Sequence, residues 1–516
     1  MESEQRLKRK RTFPIRTVSF HPVLTVPGLS KNSLHDSSHG KLRLPLRVAD
    51  RVLFPDHLLL LVSDKIHEDD KLDCVYHKAL KGKDIVRRRV LSVDEFDGFR
   101  SVVRCLNPPS NYSAAVGLMW TGDDGVDDYG WSFRCNQTVH SWDRLVYEAA
   151  FDGKTAFVFA KGLNLRPHKE SDLTKFMCQF GLKNIDYEEE GFVVMTEAIL
   201  VAQEVVRCTL PRSIRNNLDS AQGIRVTIVH DPMPSAVRIR DSRSYEHGRN
   251  QRTMGNTCYA LEPGTSTAGV DHVHAWLGVE RWFIYDNNSD DGIQEVVEEL
   301  DFQDYNVSRH NWPWIKTQEA GFSHCTLRAR NECKWVGFFD VDEFYYFPHH
   351  HRRACHSFGP SGLSSTPLQG VTVGYTCRLQ NPERHKSIVR PDLLNETLLN
   401  VVHHFELKIG FRYLNVLENS IIINHYKYQV WETFRAKFFR RVATYVVESQ
   451  ENQNQGSKDR APGLGTEAIE PPNWRKQFCE VWDTGLRDFV LANLADPATG
   501  SYPGRSLFCS NTKYGC

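Results

Sequence analysis

The chain has 516 residues, 40% of them hydrophobic, which is enough for packed cores in more than one domain. Lys plus Arg and Asp plus Glu both count 64, so the charge balance gives no reason to expect a nucleic-acid partner. No internal repeat is visible, which argues against a repeat scaffold, and no apolar run of about twenty residues is available to span a bilayer.

Residues 1–43 read as a basic, irregular segment. Lys8-Arg9-Lys10-Arg11 is followed by a stretch from Thr12 to Ser30 that is broken by Pro14, Arg16, His21, Pro22 and Pro27. Residues 44–230 are β-rich. Runs such as 57–62, 155–160 and 223–229 are apolar and strand-length, and turn signals such as Thr121-Gly122-Asp123-Asp124-Gly125 separate them, which predicts a β-sandwich-like accessory domain. Residues 231–252, with Pro232, Pro234 and several arginines, mark a linker ahead of a second domain over 253–516. The tract 254–270 at its start is rich in Gly, Thr and Pro and shows no convincing strand.

Downstream the pattern turns α/β. Trp282-Phe283-Ile284-Tyr285 runs into Asp286-Asn287-Asn288-Ser289-Asp290-Asp291-Gly292. Ile293, Val296, Val297 and Leu300 then fall at helical spacing, with Asp291 placed to cap them. A less regular helical stretch, about 316–333, leads to a second apolar strand, Trp335 to Phe339, which stops on Asp340-Val341-Asp342-Glu343. Strand, crossover and strand predict an open parallel sheet, whose ligands gather at the carboxyl ends of its strands. Both polar clusters fall at that edge. Further on, Asn419 to Asn424 forms a strand that ends at His425. A helix over 432–447 carries Phe434, Phe438, Val442 and Tyr445 on one stripe, 448–472 reads as a long loop, and a terminal helix spans about 482–494.

Side chains two apart on a strand point the same way, so Asp340 and Asp342 can share one ligand. Clustered carboxylates call for a cation, and Mg2+ or Mn2+ favours carboxylate and phosphate oxygens. Such an ion on a diphosphate neutralises charge on a leaving group, which points to group transfer from a diphosphate carrier. An Asp-x-Asp triplet alone is a weak signal, because three residues recur by chance.

The longer strings GVERWFIYDNNSDDG (278–292), ECKWVGFFDVDEFYYFP (332–348), ERHKSIVRP (383–391) and NHYKYQVWETFRAKF (424–438) are specific. Through them the chain resembles glycosyltransferase family 92 of plants, from about residue 50 to the end. The resemblance implies a GT-A catalytic domain with an open twisted sheet, an inverting mechanism, a UDP-hexose donor, a glycan acceptor and Mn2+ (or Mg2+). The best understood plant relatives extend pectic galactan from UDP-galactose. In this frame Asp340 and Asp342 are the metal and diphosphate pair, and Asp286, Asn287 and Asn288 line the nucleotide-sugar pocket. His425 completes the metal site, with His403 and His404 as rivals. Lys386 and Arg390 clamp the diphosphate, which suits ammonium and guanidinium donors. Inversion also needs a base at the acceptor hydroxyl. Glu383 is favoured for it, with Asp392, Glu406 and Glu343 as alternatives. Trp312, Trp314, Tyr345, Tyr346 and Trp431 lie near the site in sequence and are expected mainly in the core.

Family members carry a membrane anchor that holds the catalytic domain in the Golgi lumen, and none is visible in this chain. They also open the catalytic domain with a strand that the tract 254–270 does not suggest. A catalytically impaired, carbohydrate-binding relative is therefore the alternative to an active enzyme. A two-metal phosphodiesterase would have the carboxylates in its favour but not the surrounding strings. The thirteen cysteines include no C-x-x-C pair, and a lumenal setting allows disulfides, such as one between Cys105 and Cys135, with at least one thiol left over. Sequons begin at Asn111, Asn136, Asn287, Asn306 and Asn395, and Asn287, being inside the expected pocket, is expected to be unglycosylated.

Overall fold

The computed structural model divides into two compact units, Met1–Arg252 and Thr253–Cys516. It describes residues between 46 and 230 and between 257 and 495. Outside the description lie 1–45, 123–138, 164–171, 182–192, 216–223, 231–256, 263–272, 348–356, 359–370, 381–385, 427–479 apart from Trp431 and Phe434, 496–516, and gaps of at most six residues. The expected basic segment, the linker, most of the helix over 432–447 and the loop over 448–472 therefore fall outside it.

In the first unit the long elements among the described residues are all strands. The first eight are β1 (Val48–Leu53), β2 (His57–Val62), β3 (Leu72–His77), β4 (Ile85–Arg89), β5 (Ser92–Asp97), β6 (Arg100–Leu106), β7 (Gly117–Trp120) and β8 (His140–Ser141). They form two sheets, ordered β5-β6-β2-β1-β8 and β4-β3-β7. Leu58, Leu60 and Val62 of β2, Val103 of β6, Tyr76 of β3 and Leu118 of β7 share one buried core, so the two sheets contribute to the same interior. The Cys74–Cys105 disulfide links β3 to β6. This corrects the expected pairing: Cys105 bonds to Cys74, thirty-one residues earlier, because the two sheets bring those strands face to face. Cys135 lies outside the described residues.

The remaining strands of this unit are β9 (Val146–Phe151), β10 (Thr155–Ala160), β11 (Phe176–Gly181), β12 (Val193–Ala202), β13 (Val205–Thr209) and β14 (Arg225–His230). They pair in the order β14-β11-β12-β13-β10-β9. The ten-residue β12 serves two partners. Its first half pairs with β11, its second half pairs with β13, and a register irregularity falls between Ala198 and Leu200. Flat neighbouring strands lie about 4.8 Å apart, which would put β11 and β13 about 10 Å apart. The Cys178–Cys208 disulfide joins those two strands at a Cα separation of 6.1 Å. The sheet is therefore creased along β12, and Phe151, Phe176, Phe180, Val201, Val206 and Ile228 fill the core it encloses.

The second unit is built on a sheet ordered β17-β16-β15-β18-β22, with β15 (Thr257–Glu262), β16 (Arg281–Asp286), β17 (Val307–Asn311), β18 (Trp335–Asp340) and β22 (Ile388–Val389). The first four are parallel and β22 is antiparallel to β18. Helix Ile293–Phe302 connects β16 to β17, and helix Gln318–Ala329 returns the chain to β18. Two expectations need correcting. The tract thought to lack a strand supplies β15, the central strand, because apolar β16 and β18 flank it and satisfy its backbone on both sides, which overrides weak local composition. The connection from β16 to β18 also holds an additional strand, β17, whose sequence VSRHN hides it.

Strand β19 (Glu343–Tyr346) pairs antiparallel with β25 (Ile422–His425). Short strands β20 (Ser357–Phe358), β21 (Cys377–Arg378) and β26 (Val481–Trp482) form a small sheet, and β23 (Asn400–Val401) pairs with β24 (His404–Phe405). Cys333 and Cys377 each take part in a disulfide. The terminal helix spans Gly485–Asn493 and adds Leu486 and Val490 to the core around Trp282, Phe339 and Phe344.

Candidate active site

The parallel sheet aligns its carboxyl ends. Glu262 sits opposite Asp340 in register, and Asp286 opposite Asn311. Beyond Asp340 the chain turns through buried Val341 and Asp342 into β19. The backbone N–H of Asp340 donates to Glu343 Oε2 at 3.0 Å, closing the turn, and the N–H of Tyr426 donates to the Asp342 carbonyl at 2.8 Å. The β19–β25 register sets Glu343 opposite His425. This pairing joins residues eighty-two positions apart in sequence.

Asp340, Asp342 and His425 each offer one ligand atom, and these atoms all lie within 4.8 Å of one another. His425 Nε2 is 3.5 Å from Asp342 Oδ1, and its Nδ1 is 3.4 Å from Glu343 Oε1. Lys386 Nζ, just before β22, lies 3.2 Å from Asp340 Oδ2 and 3.0 Å from Glu343 Oε2. It also contacts His403 Nε2 at 2.6 Å, so that nitrogen is taken up by the ammonium. His403 sits at φ +72°, with its carbonyl taking the Ser387 hydroxyl.

The electrostatics follow from burial and close packing of charge. Burial would raise Asp340, but the Lys386 ammonium and His403 bring it below the ordinary carboxylate value. Glu343, only 2% exposed, is pushed up to about 7 by burial and by the Asp340 charge. Burial would lower Lys386, yet Asp340 and Glu343 hold it above its ordinary value. His425 is likewise raised, because Asp342 and Glu343 outweigh its burial. The two aspartates carry negative charge to one point at the strand end, and clustered carboxylate oxygens suit a divalent cation. Two carboxylates and an imidazole also match the donor set of Mn2+. On both counts the residues fit the ion.

The other expected site residues have contacts of their own. Asp286 is buried at 1% exposure and fully engaged: Oδ2 accepts from Arg309 Nε at 2.8 Å, and Oδ1 accepts the Ser289 N–H at 2.9 Å. Asn287 Nδ2 donates to the carbonyls of Trp312 and Trp314 at 2.6 and 3.1 Å. Arg390 pairs with Asp392 in an exposed contact. Val389 stands opposite Val336, so one further step of that antiparallel register puts Arg390 beside Trp335, at the amino end of β18 and away from Asp340. Asn288 and Glu383 lie outside the described residues. Trp312, Trp314, Tyr345 and Trp431 are buried. Arg309, the partner of Asp286, was missed in the sequence because its strand was missed.

The carboxylate and imidazole cluster stands at the carboxyl edge of a parallel sheet, the edge where such folds gather their ligands. Comparison with known proteins gives the class a name. A model of glycosyltransferase family 92 matches residues 271–361 and 365–471. The chain is 54% identical to a glycosyltransferase family 92 protein of Ricinus communis, over 98% of this chain and 99% of that protein. It is 52% identical to one from Arabidopsis thaliana, over 95% and 90% of the two chains. A third, from Oryza sativa subsp. japonica, is 41% identical over 94% and 89%. The chain belongs to glycosyltransferase family 92 and is accordingly a transferase.

Proposed function

We propose that this protein is a metal-dependent, inverting hexosyltransferase of GT-A type. Its donor is UDP-galactose and its acceptor a cell-wall polysaccharide or a glycoprotein glycan. The observation that carries this reading is the convergence of Asp340, Asp342 and His425 within 4.8 Å at the carboxyl edge of the sheet. A bound Mn2+ or Mg2+ supplies charge neutralisation on the departing diphosphate. Lys386, held between Asp340 and Glu343, brings a second positive charge to the same edge.

In the transfer, an acceptor hydroxyl oxygen forms a bond to the anomeric carbon of the hexose. The bond from that carbon to the diphosphate oxygen breaks, UDP leaves with the electron pair, and a carboxylate takes the hydroxyl proton. Glu343 is poorly suited to that last task, since both of its oxygens face groups inside the protein. Asp392 is held by Arg390. Glu383 is the base in this reading, three positions before Lys386.

The first unit is read as two β-sandwich-like modules, each with its own core and disulfide, that bind the acceptor glycan. Disulfides form in oxidising compartments, which supports a lumenal setting, in this reading the Golgi lumen, with the chain held at the membrane as an expectation of the family. Among the described residues no helix is long and apolar enough to cross a membrane. The non-catalytic alternative rested on a missing strand, and β15 removes that ground.

Calorimetry of UDP and UDP-galactose binding, with and without Mn2+, tests the reading. Binding that needs Mn2+ and is lost in Asp340→Ala is the expected outcome. A folded wild-type protein that binds neither nucleotide would sink it.

A further inference from the structure

Glu343 stands just outside the three candidate ligands and touches most of what surrounds them. Its Oε2 accepts the Asp340 N–H at 3.0 Å and lies 3.0 Å from the Lys386 ammonium. Its Oε1 faces His425 Nδ1 at 3.4 Å. At 2% exposure it has no path to a substrate hydroxyl. The cross-strand register Glu343↔His425 makes the contact a property of the β19–β25 pair and not of a mobile loop.

The two nitrogens of an imidazole are not equivalent, and an acceptor beside one of them draws the ring proton there. Carboxylates face both nitrogens, Glu343 at Nδ1 and Asp342 at Nε2; with Asp342 turned to a cation, Glu343 is the remaining acceptor and the lone pair is left on Nε2. A histidine that ligates a metal through one nitrogen commonly donates the other N–H to a carboxylate, and losing that partner weakens metal affinity about 10- to 100-fold.

We infer that Glu343 is a positioning residue: it fixes His425 as the Nδ1–H tautomer with Nε2 toward the cation position between Asp340 and Asp342, while its second oxygen anchors the turn that carries both aspartates. The inference rests on the metal-dependent reading above and goes beyond it in assigning Glu343 a role other than base or ligand. Two consequences separate it from a purely structural role. The state of the His425 ring depends on Glu343, and so does the nitrogen contribution to the bound ion.

The test titrates Mn2+ into wild type, Glu343→Gln, His425→Ala and Asp342→Ala, reading affinity by calorimetry and nitrogen hyperfine coupling to Mn2+ by pulsed electron paramagnetic resonance. The wild type is expected to bind Mn2+ with a histidine nitrogen coupling that His425→Ala abolishes. Glu343→Gln is expected to bind about 10- to 100-fold more weakly with a reduced coupling, at an unchanged melting transition. Wild-type affinity and coupling in Glu343→Gln, together with loss in Asp342→Ala, would overturn the positioning role and leave the metal reading intact. Absence of Mn2+ binding by folded wild type would overturn the metal reading and this inference with it. Should Glu343→Gln fail to fold, the wild-type protein decides: histidine 15N resonances in the presence of Zn2+, a diamagnetic ion that also takes imidazole, report the ring state, with His425 assigned by its loss in His425→Ala. A ring protonated at Nδ1 and coordinated to Zn2+ through Nε2 supports the inference, and a proton on Nε2 refutes it.

Discussion

Asp286 and Asp340 each end an apolar strand at the same edge of one sheet, and their side chains meet different neighbours. Asp286 is paired with Arg309, whose side chain is 14% exposed, and it also holds the Ser289 N–H. Removing one partner of a buried ion pair leaves the other charge uncompensated, at about 3–5 kcal/mol. Asp286→Ala is therefore expected to lower unfolding stability by about that amount in urea titrations. Wild-type stability in this variant would contradict the structural role. Asp340 is different: its side chain is 31% exposed, and Lys386 keeps Glu343 as a partner when it is removed. Asp340→Ala should lose metal-dependent binding while remaining folded.

At the scale of elements, the crease in β12 is held from both sides by Cys178 and Cys208, which close a loop of thirty residues. Chain-entropy arguments put such a bridge at about 3–4 kcal/mol. The double substitution Cys178→Ala with Cys208→Ala should cost the first unit about 2–5 kcal/mol, read as a lower melting temperature of that unit. A second element contact carries a pH dependence. β17 meets helix Gln318–Ala329 through His310 and His324, stacked with ring centroids 4.9 Å apart, and Tyr285 Oη lies 2.7 Å from His324 Nδ1. Burial, with the Arg328 charge nearby, lowers His324 to about 3, and burial lowers His310 well below its ordinary value. In the folded protein both rings stay neutral, while in the unfolded chain each takes a proton near pH 6.5. The unfolded state thus binds more protons in acid. Stability is fully present above about pH 6.5 and falls as pH drops toward 3, by up to about 1.4 kcal/mol per unit for each histidine. Denaturant midpoints between pH 7 and 5 should decline in wild type and decline less steeply in His324→Gln. Equal slopes would show that His324 does not remain neutral.

Across the whole molecule, the order of residues alone was enough for the family, the β-rich first half, strands β2 and β10 to the residue, and the turn Asp340-Val341-Asp342-Glu343 at the end of an apolar strand. These were legible because apolar runs of strand length and carboxylates at a strand end are local signals, set by periodicity and composition. Tertiary structure alone decided the rest. β15 and β17 exist because their neighbours complete their hydrogen bonding, which no window of their own sequence records. Cys105 found Cys74 because two sheets share a core. Asp286 was claimed by an arginine on an unrecognised strand. His425 was distinguished from His403 only by strand pairing, which turned one ring toward Asp342 and the other toward Lys386. The physical reason is common to all four: a contact between residues far apart in sequence depends on which strands pair and in what register, and local side-chain chemistry does not specify that choice.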